Sequence, residues 1–217
     1  FSDGPFPVGT FSFSNGLAPA AYENIVNHAS TLEAFTRSQA LQAAYTDGIA
    51  AIHAYRAYNN SDYDAISDAD HTLILCKMND EARQMLCRMG KKLGELAVRL
   101  FDSPIITRWL EDIDNNKTPG TFPVAQGLVF AAAGIDERDL FCSHQYGVIN
   151  MVVSAALRCV RVSHYDTQKI LYAISDDIDP LYEEVSQMTL NEMHAFFPTL
   201  DILASMHEKG KMRMFMN

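Results

Sequence analysis

The sequence has no uninterrupted apolar run long enough for a membrane-spanning helix. Its most apolar stretch, residues 148–162, is broken by Asn150, Ser154, Arg158 and Arg161. It also lacks a basic segment followed by an apolar one, so we expect no secretory signal peptide. These absences predict a cytoplasmic protein rather than a membrane-bound or exported one.

Cysteine is scarce, and none of the four cysteines forms a C-x-x-C pair. Each stands inside an apolar helical pattern, where cysteine behaves as a small hydrophobic residue. This usage fits a reducing compartment and favours core positions over metal binding. The four are Cys76, Cys87, Cys142 and Cys159.

Basic residues are outnumbered. The 17 lysines and arginines face 27 aspartates and glutamates, which gives a formal net charge of −10. An acidic surface repels phosphate backbones, so the composition argues against nucleic-acid binding. It is compatible with simple solubility and also with basic protein partners.

Sequence motifs for catalysis are missing across several classes. A carboxylate-bridged di-metal site uses Glu-x-x-His, but Glu192 and His194 are two apart and point to different sides of a helix. H-E-x-x-H, phosphate-binding glycine loops and G-x-S-x-G are absent, and the seven histidines are scattered. We therefore predict no catalytic residue, no metal site and no cofactor. The alternative that stays open is an all-α metal- or cofactor-dependent enzyme of haem-oxygenase-like shape, which a bound metal or chromophore would reveal.

The dominant pattern that is present is the period of a helix. Apolar residues recur at steps of three and four along residues 41–55 and again along residues 86–100, as expected for helices with one buried face. Ser30 and Glu33 have the spacing of a capping box, and Asn79 is a second predicted helix start. The fold class predicted is all-α: a single domain over residues 1–217, built as a bundle of about eight to ten helices. The best strand candidate, Gly9 to Phe13, is too short to build a sheet.

The last residues form a candidate docking segment, residues 207–217. Met206, Met212, Met214 and Met216 surround Phe215, and methionine is frequent on surfaces that dock partners. Lys209, Lys211 and Arg213 alternate with them on an otherwise acidic chain. Such a segment can order on binding a partner, or it can pack back on its own chain.

Two further places are candidates for partner binding. Phe11 and Phe13 are bracketed by glycines that permit tight turns, so they are interface anchors or core residues under a loop. Arg158 lies on the most apolar helix, where a charge must be paired or reach the surface. Asp166 is its candidate partner, or that of Arg161, and Gln168 can bond backbone at the same corner. We interpret this corner as a structural latch first and an interface second.

Five segments in order resemble the urease accessory protein F family. They are residues 7–17 (PVGTFSFSNGL); 79–83 with 89–93 (NDEAR, MGKKL); 123–127 to 134–135 (PVAQG, GI); 150–158 to 166–171 (Asn150 to Arg158, then DTQKIL); and 207–208 with 213–215 (HE, RMF). The sequence departs from the family pattern at Ala18, Thr167 and Lys211, where the family usually has Glu, Gly and an aromatic residue.

The resemblance implies an all-α homodimer that is not itself an enzyme. Such proteins act as chaperones in nickel insertion: they bridge a urease accessory scaffold protein (D/H type) to a nickel-binding P-loop GTPase (G type). They thereby reach apo-urease and couple GTP hydrolysis to metal delivery. The family uses its C-terminal tail for the accessory partner, which favours docking for this chain. Its partner-binding candidates are Phe11, Phe13, Arg158, Gln168, His207, Glu208, Lys211, Arg213 and Phe215.

Overall fold

The computed structural model describes residues 14–208, with the backbone alone at His207 and Glu208. This part of the chain is all-α and contains no strand, which confirms the predicted fold class. Its helices are α1 (Leu17–Tyr22), α2 (Ala29–Ala43), α3 (Ile49–Asn59), α4 (Tyr63–Leu75), α5 (Asp80–Leu100), α6 (Pro104–Asp114), α7 (Phe122–Ala132), α8 (Glu137–Cys159), α9 (His164–Ser175), α10 (Ile178–Val185) and α11 (Pro198–Glu208). The predicted strand candidate from Gly9 to Phe13 lies outside residues 14–208.

A π-helical turn, Ala44–Gly48, joins α2 to α3 without a break. Counted as one continuous helix, this unit brings the number of helices in residues 14–208 to ten, within the predicted range. A short 3₁₀ helix, Leu190–Glu192, lies in the long connection between α10 and α11.

Side chains cap the starts of α2 and α5, and one of the two predicted caps is wrong. The Asn79 side chain accepts a hydrogen bond from the Ala82 amide at 2.8 Å, which confirms the predicted start of α5. The predicted capping box of Ser30 and Glu33 is wrong. His28 caps α2 instead: its Nδ1 accepts from the Thr31 amide, while the Thr31 hydroxyl oxygen accepts from the His28 amide.

Two glycines let helical segments approach unusually closely. A Cβ on Gly127 in α7 would lie 2.5 Å from the carbonyl oxygen of Ala51 in α3. A Cβ on Gly90 in α5 would lie 2.1 Å from the carbonyl oxygen of Gly120, just before α7. Both distances are far shorter than a van der Waals contact. The segment around α7 can therefore approach α3 and α5 this closely only because the residues at positions 127 and 90 are glycines without a Cβ. The space between α7 and its neighbouring helices is filled by a hydrophobic core that includes Trp109, Leu93 and Leu128.

The long apolar helix α8 occupies a central position. It packs against α1, α2, α3, α7, α9 and α10. Among the described helices it alone is long and apolar enough to cross a membrane, but half of its most apolar 18-residue stretch is buried inside the fold. That burial is typical of the core helix of a helical bundle.

Candidate interaction surface and buried polar centres

The corner between α8 and α9 is fixed by a reciprocal cap. The Ser163 hydroxyl accepts from the Asp166 amide at 3.2 Å, and the Asp166 carboxylate accepts from the Ser163 amide at 2.8 Å. The Ser163 hydroxyl also donates to the Asp166 carboxylate at 2.7 Å, and this bond together with that from the Ser163 amide lowers the pKa of Asp166. The capping box sets the direction in which α9 leaves the corner.

The outer face of α9, which we call the α9 face, presents two tyrosines to solvent. Tyr165 is 82% exposed and Tyr172 is 74% exposed. Gln168 and Lys169 are exposed between them at helical spacing, while Ile170 and Ile174 point into the core. Large amphipathic rings on a rigid helix are typical contact residues of protein interfaces.

The structure describes the side chains of two of the predicted partner-binding residues, and one of them, Gln168, lies on the α9 face. Arg158, in the last turn of α8, and Gln168, in α9, are both exposed. His207 and Glu208 form the end of α11. Phe11, Phe13, Lys211, Arg213 and Phe215 fall outside the described part of the chain.

Helix α11, from which the C-terminal segment continues, lies against α1 and α5. Leu200 and Leu203 are buried and belong to the same core cluster as Leu17. Gly16, at a φ of 80°, passes so close that a Cβ there would lie 3.0 Å from the Ala204 amide nitrogen. The opposite side of α11 carries apolar side chains into solvent, with Ile202 60% and Met206 42% exposed.

A buried ionic centre lies where the π-helical turn meets the α4–α5 connection and α8. The Lys77 ammonium contacts the Asp47 carboxylate directly and lies 3.4 Å from the Thr46 hydroxyl. Burial alone would raise the pKa of Asp47, but the charge of Lys77 and its hydrogen bond outweigh burial and the pKa is lowered. His144 Nδ1 lies 2.7 Å from Gln126 Oε1, while its Nε2 is buried without a partner. Burial lowers the pKa of His144, so the ring is neutral at pH 7.

A second buried carboxylate, Asp70, organises the loop before α7. One oxygen accepts from Trp109 Nε1 at 3.1 Å, the Thr118 hydroxyl at 2.7 Å and the Gly120 amide at 2.9 Å. The other accepts from the Thr121 amide at 2.8 Å. Asp70 itself is fully buried. Four donors from three parts of the chain compensate its desolvation and tie α4, α6 and the start of α7 together.

A third polar centre ties α10 to the body. The Arg56 guanidinium makes a two-pronged contact with Glu137, at 2.7 and 2.6 Å, and donates to the Ser186 carbonyl at 2.9 Å. Tyr182 donates its hydroxyl to the same carboxylate at 3.0 Å. Burial, reinforced by Glu137, raises the pKa of Tyr182 to about 12. All these groups are mutually satisfied, so this centre is structural.

The described side chains form no cluster of the kind that binds a metal ion or supplies a nucleophile. Residues 14–206 contain no group of three or more His, Cys, Asp or Glu placed to hold a metal ion. Burial raises the pKa of all four cysteines, that of Cys159 to about 11, so their thiols are poor nucleophiles. What the described surface offers instead is exposed helical faces on α9 and α11.

Sequence reasoning missed several of these residues. Tyr165 and Tyr172 carry a readable signal, because they stand seven apart on one helix face with polar residues between them. Asp47, Asp70 and Lys77 carry none, because their partners are 30 or more positions away in the chain. Lys91 has Glu95 four positions along its own helix, but its ammonium pairs with Asp114 at 2.6 Å. Arg83 does pair with a residue of its own helix, Asp80, at 3.3 Å.

Fold and surface together define an all-α helical protein whose candidate site is a set of exposed helix faces. The family described as UreF matches residues 26–175. Urease accessory protein UreF 2 of Brucella canis is 46% identical over all 217 residues, which cover 89% of its length. Urease accessory protein UreF of Yersinia pseudotuberculosis serotype I is 42% identical over the same residues, which cover 95% of its length. The chain belongs to the UreF family, as the five segments predicted.

Proposed function

We propose that this protein is a non-catalytic chaperone of urease maturation that bridges two other accessory proteins. One is a scaffold protein of the D/H type that binds apo-urease, and the other is a P-loop GTPase of the G type that carries nickel. The protein couples GTP hydrolysis to nickel delivery and works in the cytoplasm as a homodimer. Full-length similarity to proteins named urease accessory proteins supports the role in urease maturation.

The observation that carries the bridging role is the α9 face. Two tyrosines are largely exposed on a helix whose opposite side is anchored in the core. Gln168 is exposed between them, and Arg158 is exposed in the last turn of α8, before the capped corner. We take this region as a preorganised contact surface. Rigid aromatic side chains lose little conformational entropy on binding, which makes them effective anchors.

The remaining contacts are assigned to the two ends of the chain. We assign the scaffold protein to the C-terminal segment, with His207, Glu208, Lys211, Arg213 and Phe215 as its binding residues. Phe11 and Phe13 are assigned to a further interface, as aromatic anchors near the N-terminal end of the sequence.

Co-purification tests the proposal. The tagged protein, mixed with the scaffold protein and the GTPase, is expected to hold both in one complex on a sizing column. A strain without this protein is expected to make normal amounts of urease polypeptide with little nickel and little activity. Urease with normal nickel content from that strain would rule the proposal out.

A surface variant tests the assignment of the α9 face. Replacing Gln168 and Tyr172 together by alanine is expected to weaken the complex without lowering thermal stability, because both side chains are exposed. Arg88→Ala with Gln84→Ala, on the exposed side of α5, is the matched control. Equal loss of binding in both double variants would mean that the effect is not specific to this face.

A further inference from the structure

We propose that α11 is a releasable arm whose docking is weakened by the Asp201 carboxylate, so that α11 can leave the body when a partner takes the C-terminal segment. The partner step rests on the proposed function. The weak docking does not, and it can be measured on the protein alone.

The apolar part of the docking is narrow. Leu200 and Leu203 are the buried apolar anchors of α11, and Ala204 meets the chain at Gly16. Ile202 and Met206 stay 60% and 42% exposed, so these two apolar side chains gain less from the present position of the helix than Leu200 and Leu203 do. An amphipathic helix held by one strip of side chains is a natural low-stability element.

The polar part of the docking is poorly satisfied. Asp201 is half-buried, and within residues 14–208 its hydrogen bond to another element comes from Gln42 Nε2 at 3.5 Å, the outer limit for such a bond. The side-chain carbonyl of Gln42 accepts a hydrogen bond from the Phe197 backbone amide at 3.1 Å. This bond holds the Gln42 side chain in place and limits how closely its Nε2 approaches Asp201.

Lys77, the cation in the described part of the chain that acts on Asp201, already has a partner. Lys77 contacts Asp47 directly and also reaches Thr46, so it acts on Asp201 from a distance. Burial therefore prevails over Lys77 and Gln42, and the pKa of Asp201 is raised. At neutral pH the ionised carboxylate is better solvated when α11 is undocked, and this difference opposes docking.

Amide hydrogen exchange on the isolated full-length protein tests the arm. Asp201→Asn keeps the shape and removes the charge, so α11 amides are expected to exchange more slowly than in the wild type, by roughly threefold or more. Amides of α8 serve as the internal reference. Asp68→Asn, which removes an exposed carboxylate from α4, is the charge-matched control and is expected to leave α11 unchanged. Unchanged or faster exchange of α11 in Asp201→Asn would overturn the proposal.

Binding to the scaffold protein tests the release step. If α11 must undock, its tighter docking in Asp201→Asn is expected to weaken affinity by about the same factor as it slows exchange. Equal affinity of variant and wild type would show that α11 stays docked and would refute release. If the wild type itself does not bind the scaffold protein, the proposed function fails, while the exchange data still decide whether the docking is weakened.

Discussion

At the scale of single residues, the buried carboxylate of Asp70 holds several parts of the chain together by accepting four hydrogen bonds. Replacing it by alanine would leave the Trp109 indole, the Thr118 hydroxyl and two backbone amides without their acceptor in a dry interior. Each orphaned donor is costly, so we expect Asp70→Ala to lower the free energy of unfolding by more than about 3 kcal/mol.

Urea titration followed by circular dichroism measures this loss. Asp68→Ala is the control, because Asp68 lies on the same helix but is exposed, and its loss is expected to stay within about 0.5 kcal/mol. Similar losses in the two variants would mean that helix propensity, rather than the four hydrogen bonds, explains the effect.

His144 makes stability depend on pH. Its pKa is lowered by burial, with Asp47 opposing that shift and Lys77 adding to it, so the folded ring resists protonation. The unfolded chain takes up the proton near the ordinary value of 6.5. Stability is therefore full above pH 6.5 and falls as the pH drops below it, by at most about 1.4 kcal/mol per pH unit, until the folded pKa is reached.

Free energies of unfolding at pH 7.5 and 5.5 measure this dependence. His144→Gln is expected to show a smaller difference between the two values than the wild type. His71→Gln, at an exposed position, is expected to keep the wild-type difference. A wild-type slope in His144→Gln would assign the dependence to other groups.

Residue contacts could be predicted from sequence where they are local and not where they are distant. The cap at Asn79 and the pair of Asp80 with Arg83 each span three positions, so helix geometry alone specifies them. Lys91 had a local partner available in Glu95 but pairs with Asp114, because packing of α5 on α6 brings that carboxylate nearer. The donors to Asp70 are 39 to 51 positions away and depend on the whole fold.

At the scale of helices, the close approach of α5 to the start of α7 depends on Gly90. A methyl group there would meet the Gly120 carbonyl and the following backbone, which are held in turn by Asp70 and cannot yield easily. We expect Gly90→Ala to destabilise the protein by about 2 kcal/mol or more, despite the better helix propensity of alanine.

Gly147 provides the matched control for Gly90. It lies in α8, where a Cβ would have nothing within 4 Å. Gly147→Ala is therefore expected to stabilise the protein by about 0.5–1 kcal/mol through the unfolded state. Thermal unfolding of the two variants measures both effects, and the same sign in both would contradict this account of Gly90.

Helices themselves were predictable, and of the two starts predicted from capping residues the one at Asn79 was right. The period of apolar residues and Pro104, at the first position of α6, follow general rules. The start of α2 was placed two residues late because Ser30 and Glu33 have ideal capping spacing, while histidine is an uncommon cap. In the structure the His28 ring supplies the acceptor, and Glu33 pairs with Arg37 instead.

At the scale of the whole molecule, the fold class and the family followed from the sequence, but the arrangement of surfaces did not. Exposure of Tyr165 and Tyr172 depends on which side of α9 faces the core. Because tyrosine also occurs in protein cores, the residue type alone does not specify this exposure. The same holds for α11, where Leu203 is buried and Ile202, its chain neighbour, is exposed. Such assignments need the packing of several helices at once.

The proposed docking of the C-terminal segment leads to a prediction for the complex with the scaffold protein. Reversing Lys211 and Arg213 to glutamate changes a segment that carries basic charge on a protein of net charge −10. If that segment meets an acidic surface of the scaffold protein, the double variant is expected to lose at least tenfold in affinity, with a salt dependence weaker than that of the wild type.

Arg88→Glu with Lys92→Glu is the matched control, since it reverses the same two kinds of charge on the exposed side of α5. Isothermal titration at two salt concentrations compares the three proteins, and thermal unfolding checks that each is folded. Equal weakening in both variants would assign the effect to net charge, because long-range repulsion does not depend on where two charges are reversed. Weakening confined to the Lys211 and Arg213 variant would locate the contact in the C-terminal segment, since net charge is the same in both.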